Sequence, residues 1–345
     1  MKENKSMAVV VIKRKERIDR GLKVRTEGIY AISSLKEIAY LVGPRLLLIV
    51  GVLLLPLIFE VAPYWKRVIN YMCVYAILAI AFDFLANYVG LVCLGGSLFI
   101  GVGGYLTAIF NTYLSLPIYL SIPFATVGGA CICTAIILPC LPLRGVYFAI
   151  VTLMCPILLS RIIEALNIFG GTNGITGIAG FPNQYLEQYL IIIVMLLVLF
   201  AMRRLVVEDV GLVLRGVKDN DQSVRASGIN VTYMKCIAVF IASLMGCFAG
   251  AYISHLYMFA GLSLFALDFS IIPIAAVVMG GGGTLVGAVI GSLILVPLSE
   301  ILRDFGSFRI VIYSAVLTGF IVFKSEGIMV YLQRKYHQFE RWAKI

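Results

Sequence analysis

Apolar residues in this chain run in long blocks, and Gly, Pro or charged residues close each block. The run from Leu46 to Leu57, extended to Trp65, and the run from Tyr189 to Met202 set the pattern. A helix needs about 20 mostly apolar residues to cross a bilayer, so such blocks predict spans. They place helices near 46–64, 68–90, 91–110, 118–141, 145–163, 187–202, 236–258, 269–281, 284–302 and 308–323. The expected fold class is an all-α integral membrane protein, a polytopic helical bundle of about ten transmembrane helices. Gly-rich stretches at 91–110 and 269–302 leave two forms open there, continuous helices or broken, re-entrant ones.

Composition agrees with that pattern. Of 345 residues, 61% are hydrophobic and 13% charged, with a mean hydropathy of +0.99, whereas a soluble chain carries about 25% charged residues. The formal net charge of +10 sits at block ends, as loop charges of a membrane protein do, which argues against nucleic acid as a partner. All eight cysteines lie in or beside apolar runs without a C-x-x-C pair, and read as small core residues. A polar, charged segment precedes the first apolar block, so no cleavable signal is expected.

Lysine and arginine gather on the cytoplasmic side of membrane proteins. With the N-terminus inside, 23 of the 28 basic residues fall on that side, and only Lys66, Arg67, Arg161, Arg303 and Arg309 fall outside. An even span count then puts both termini in the cytoplasm. The expected divisions are a basic segment at 1–43, a membrane domain at 44–323 and a basic cytoplasmic tail at 324–345. The first segment carries Lys13, Arg14, Lys15, Arg17 and Arg20 ahead of Ile32, Leu35, Ile38 and Val42. It reads either as a topology-setting tail or as an amphipathic stretch on the anionic inner leaflet.

The longest cytoplasmic loop, 208–232, has its own grammar. Val210, Leu214 and Val217 share a helical face, Asp219, Asn220 and Asp221 offer an N-cap and acids suited to a helix start, and Gly228 offers a C-cap. Two short helices follow. The second, about Asp221 to Ser227, is shorter than the roughly 12 residues an isolated helix needs, so it must pack on something. That support is either a cytoplasmic partner or the membrane domain itself.

This loop resembles the coupling segment of the ABC-transporter permeases that import branched-chain amino acids and related compounds, through Gly211, Leu214, Arg215, Asp219, Ala226, Gly228, Ile229 and Asn230. Three further blocks agree in order: the Gly-rich stretch from Asn87 to Tyr105, Arg144 to Leu153 with Gly170 to Gly177, and Gly280 to Gly287. Together they cover about Val68 to Ile328. Gly96, Cys93 and Ile272 stand where that family often has His or Tyr, Ser, and an acid, and Lys324-Ser-Glu-Gly327 follows its usual Arg-Pro-Gln-Gly loosely. These departures bear on the solute more than on the family.

The resemblance implies a non-enzymatic permease of a prokaryotic cytoplasmic membrane, without a cofactor, paired with a second homologous permease chain as a heterodimer. Two cytoplasmic ABC ATPase subunits, an external solute-binding protein and membrane lipid are the other implied partners. Leu214, Arg215, Asp219, Asp221, Val224, Arg225, Ala226 and Gly228 become ATPase-coupling candidates, and Asp83, Asn87, Ser97, Thr152 and Asn173 pathway or gate candidates. Branched-chain amino acids lead the implied solutes, followed by urea or short amides, then sugars or nucleosides.

Within the blocks, Asp83 is the carboxylate expected near the middle of a span, where a charge is costly and must find a partner or water. It reads as a pathway-lining group or as an interhelical hydrogen-bond acceptor. Gly283, Gly287 and Gly291, and likewise Gly246 and Gly250, recur every fourth residue and predict close helix approach. No G-x-x-x-x-G-K-[ST] and no H-E-x-x-H occurs, so nucleotide and metal chemistry are expected on other chains. A secondary transporter or channel remains the rival class; it would carry its own ion site, for which Asp83 and the Gly-rich breaks are the available groups. The topology predicts that single cysteines at Ser223 and Asn183, in a cysteine-free background, react with impermeant maleimide from opposite sides. Labelling of both from outside intact cells would refute the map.

Overall fold

The computed structural model describes residues 50–53, 63–143, 145–306, 308–323 and 327–342. The predicted segment 1–43 lies outside the described residues, as does the predicted span at 46–64 apart from the helical residues 50–53 and the two that begin the next helix, 63 and 64. Helix α1, Pro63–Asp83, runs on as a π-helical turn, Phe84–Val89. It is followed by α2 (Gly96–Thr112), α3 (Ile118–Ile137), α4 (Val146–Leu166) and α5 (Gln184–Val207). Two short helices, α6 (Asp209–Asp219) and α7 (Asp221–Ala226), form a hairpin ahead of α8 (Val231–Tyr257). The chain closes with α9 (Asp268–Gly280), α10 (Val286–Ile301), α11 (Phe308–Phe323) and α12 (Ile328–Trp342).

Among the described residues six helical stretches are long and apolar enough to cross a membrane, from Tyr64–Val89 to Leu262–Gly280. The most apolar part of Tyr64–Val89 is 89% buried, against 28% for those of α4 and α5. Helix α1 is therefore the axis of the bundle, with α5, α8, α9 and α10 packed around it. Helix α8 also lies along α2 and α3, while α4 and α5 turn apolar side chains such as Leu158, Ile193, Leu197 and Phe200 outward. Such a rim suits a lipid solvent, in which apolar exposure has no cost.

Small residues set the two closest helix contacts. A methyl group on Gly250 would collide with the Ile100 backbone, and one on Gly246 with Phe99, so α8 and α2 meet nearly backbone to backbone. Between α9 and α10, Gly291 lies on the Ala276 carbonyl and Gly287 on the carbonyls of Gly280 and Gly281. These pairings make α9 and α10 an antiparallel pair joined by a tight turn. Gly283 departs from the predicted stripe. It lies in the turn before α10, with the nearest neighbour of an added Cβ 3.9 Å away, and its φ of +80° makes it a backbone-conformation glycine instead of a packing one.

Other departures have local causes. The helix expected at 91–110 begins only at Gly96, because Gly90 takes a left-handed conformation (φ 79°) after the π turn and the chain runs on unwound to Gly95. Helix α5 extends past the predicted 202 to Val207, since Arg203 and Arg204 sit inside its last turns and Arg204 pairs with Glu208 at 2.6 Å. Asn230 caps α8 through the Tyr233 N–H, which starts that helix five residues before the predicted 236. The predicted tail contains a further helix, α12.

The bundle has two distinct ends. One carries the α6–α7 hairpin and the α9–α10 turn. At the other, Ile175–Thr176 pairs antiparallel with Phe259–Ala260, and buried His255 donates from Nδ1 to the Ala179 carbonyl (2.7 Å) and accepts at Nε2 from the Thr107 hydroxyl (3.1 Å). The Thr107 hydroxyl also meets Ser121 Oγ at 2.8 Å, which ties α2, α3 and α8 to the 175–182 loop. Gly291→Leu should separate α9 from α10 and lower stability by about 1–3 kcal/mol, whereas Val286→Leu, partly exposed, should cost less than about 1 kcal/mol. Thermal unfolding of the detergent-solubilised chain measures both; equal midpoints would contradict the packing.

Candidate functional site

The hairpin end concentrates the polar side chains that the sequence singles out. Helix α6 is amphipathic: Gly211, Leu214 and Val217 are buried, while Val210, Leu212, Arg215 and Lys218 are exposed. Asn220 caps α7, its side-chain oxygen accepting from the Gln222 and Ser223 N–H groups (2.9 and 3.2 Å). The left-handed Gly228 (φ +81°) ends it, donating to the Arg225 carbonyl at 3.0 Å. Val224 is half-buried, 3.2 Å from the point where a Gly216 Cβ would sit, and Lys235 reaches Asp221 at 3.6 Å. The short helix thus gains support from its own chain.

Beneath α6 lies the π-helical end of α1. Lys218 Nζ donates to the Asn87 carbonyl at 2.8 Å, and the Arg215 guanidinium stands 5.2 Å from the centre of the Tyr88 ring. The Tyr88 hydroxyl donates to the Gly283 carbonyl. Asp83, fully buried, accepts from Asn87 Nδ2 (2.6 Å), the Gly283 N–H (2.6 Å) and the Leu285 N–H (2.9 Å). One carboxylate therefore holds the α9–α10 turn closed. Asp83 lies in the last third of the Tyr64–Val89 stretch, six residues before the π turn ends.

Deeper in the bundle the unwound segment 90–95 is sealed by side chains. The Leu94 N–H donates to Thr152 Oγ1 at 3.1 Å, and the Ser97 N–H to Ser270 Oγ at 3.0 Å. The two serine hydroxyls meet at 3.1 Å. Beside them is a small, mostly apolar cavity lined by Leu78, Phe82, Cys93, Phe99, Phe269 and Ser270, with room for about one water molecule.

The segment between the π turn and α2, the two hairpin helices and the α9–α10 turn thus meet at one end of the bundle, and similarity to known proteins bears on what this arrangement serves. The model of the family described as branched-chain amino acid transport system / permease component matches residues 64–324. The chain belongs to that family. It is 25% identical over 287 residues to the high-affinity branched-chain amino acid transport system permease protein LivM of Salmonella typhimurium and to that of Escherichia coli. Each of those alignments covers 74% of this chain and 68% of the relative. A probable branched-chain amino acid transport permease protein LivM of Methanocaldococcus jannaschii is 27% identical over 66% of this chain and 73% of its own. No solved structure matches.

In this permease Asp83 and Asn87 sit together at the hairpin end, Ser97 and Thr152 flank the unwound segment, and Asn173 stands apart, exposed at the opposite end. Among the coupling candidates Arg215, Asp219, Arg225, Ala226 and Gly228 are exposed, and Asp221 and Val224 are half-buried. Leu214 is fully buried in the permease itself, so it can act only by seating the hairpin. Tyr88, Lys218 and Ser270 escaped the sequence reading. Tyr88 adjoins Asn87 in the Gly-rich stretch from Asn87 to Tyr105, but nothing local marks its partners. Thr152→Val keeps the shape and orphans the Leu94 N–H, which should lower stability by about 1–3 kcal/mol. Thr152→Ser should restore it, and unfolding midpoints of the two variants decide the point.

Proposed function

We propose that this permease is one of two membrane chains of an ATP-driven importer in a prokaryotic cytoplasmic membrane, and that branched-chain amino acids are its solute. Family membership and the relatives' names support the solute. The observation that carries the mechanism is the hairpin, whose α7 presents Arg225 and Ala226 outward while α6 buries Leu214 and Val217 inward. A cytoplasmic ATPase dimer would seat on α7, and its closure on ATP would push α6 as a lever against the bundle. A second permease chain would complete the pathway, and an external binding protein would deliver the solute to the opposite end.

In this reading the hairpin end is cytoplasmic, as the distribution of basic residues suggests. Ten spans are reached by counting the predicted first span and taking α2, α10 and α11 as spans despite their shorter apolar lengths. The membrane domain at 44–323 and the tail at 324–345 keep the divisions read from the sequence. Chemistry resides in the ATPases, and this chain contributes path and lever.

Ala226→Arg changes an exposed residue and should leave folding and insertion intact. It should weaken retention of the ATPases on affinity-purified permease by roughly tenfold or more, about 1.4 kcal/mol. Gly228→Val should act in the same direction, by straining the left-handed C-cap. Wild-type retention and uptake by both variants in proteoliposomes would remove the hairpin from the coupling path, and uptake that persists with ATP hydrolysis blocked would favour a secondary transporter.

A further inference from the structure

Resting on the importer reading, we propose that the π-helical turn Phe84–Val89 is the link through which the hairpin moves the α9–α10 turn, with Tyr88, Asn87 and Asp83 as its positioning residues. The hairpin grips this turn from one side: Lys218 Nζ takes the Asn87 carbonyl at 2.8 Å, and Arg215 stacks on Tyr88 at 5.2 Å. The same turn grips the α9–α10 connection from the other side. Tyr88 donates to the Gly283 carbonyl, and Asp83, steadied by Asn87 at 2.6 Å, accepts from the Gly283 and Leu285 N–H groups. Tyr88 is the side chain that touches both, with its ring under Arg215 and its hydroxyl on Gly283.

The local backbone suits a moving part. A π turn holds one more residue per turn than an α-helix and is common at functional positions. Leu285 is a buried non-glycine residue with φ of +52°, a sparsely populated conformation that needs its surroundings to hold it. Asp83 supplies that hold through the Leu285 N–H. Motion at this turn has somewhere to go: α9 carries Ser270, which bonds the Ser97 N–H and hydroxyl at the start of α2. A displacement of α6 would therefore reach the start of α2 through three contacts and the length of α9: Lys218 to Asn87, Tyr88 to Gly283, and, at the far end of α9, Ser270 to Ser97.

The test uses the whole importer, permease with its partner permease, ATPases and binding protein, in proteoliposomes, with ATP hydrolysis and leucine uptake measured on the same preparation. Tyr88→Phe removes only the hydroxyl bonded to Gly283, and Lys218→Met only the ammonium bonded to Asn87. Both should retain the ATPases, keep hydrolysis within about twofold of wild type and lower uptake per ATP by about fivefold or more, the lower end of ordinary coupling energies. Because the contacts act in series, the double variant should lose little more than either single one, and Lys218→Arg should recover the ratio. A purely structural role would lower yield and assembly and leave the ratio unchanged. An unchanged ratio in both single variants, alongside a coupled wild type, would overturn the link alone; a wild type that retains no ATPase or transports without ATP would overturn the importer reading and the link with it.

Discussion

Backbone N–H and C=O groups that leave a helix inside an apolar bundle must find partners within the protein, because a lipid environment offers none and each unpaired group costs several kcal/mol. At the hairpin end the described chain leaves helix at 90–95, between the π turn and α2, and at 281–285, between α9 and α10, with part of each segment buried. Thr152 takes the Leu94 N–H of the first segment, Ser270 takes the Ser97 N–H in the first turn of α2, and Asp83 and Tyr88 seal the second segment. Most of the buried polar side chains near the hairpin end are accounted for by this one requirement.

Around these breaks the packing is close. Gly246 and Gly250 bring α8 against α2, and Gly287 and Gly291 bring α10 against α9, so each pair moves as a unit more readily than it separates. Helix α1 contacts α8, α9 and α10, and Ser97 and Ser270 join the two pairs directly. In the proposed mechanism a rocking motion between two such units needs no unpacking within either, and would pass through the polar contacts at the Asp83–Val89 end of α1.

The hairpin illustrates how two sides of one short element divide the work. Leu214 and Val217 anchor it inward, Arg215 and Lys218 hold the end of α1, and the capped α7 faces away from the bundle. An element of 11 and 6 residues would not persist alone. Its own membrane domain supports α6 fully and α7 in part, through Val224 on Gly216 and Lys235 near Asp221, which leaves the outer face of α7 for a partner.

Local grammar alone determined the apolar blocks and most helix positions, the Asn220 and Gly228 caps of α7, and the alternation of helix and Gly-rich break, because these depend on neighbours a few residues apart. The family was legible for the same reason, since its signature blocks are contiguous. Tertiary structure decided the rest. Lys218 and Asn87 are 131 positions apart, and Tyr88 and Gly283 are 195 apart, so no window of sequence joins them. Gly283 shares the four-residue spacing of Gly287 and Gly291 but not their role, and Leu214 belongs to a recognisable coupling block yet faces inward. Which carbonyl of a broken helix is left open, and which remote side chain arrives to fill it, is settled only when the helices pack.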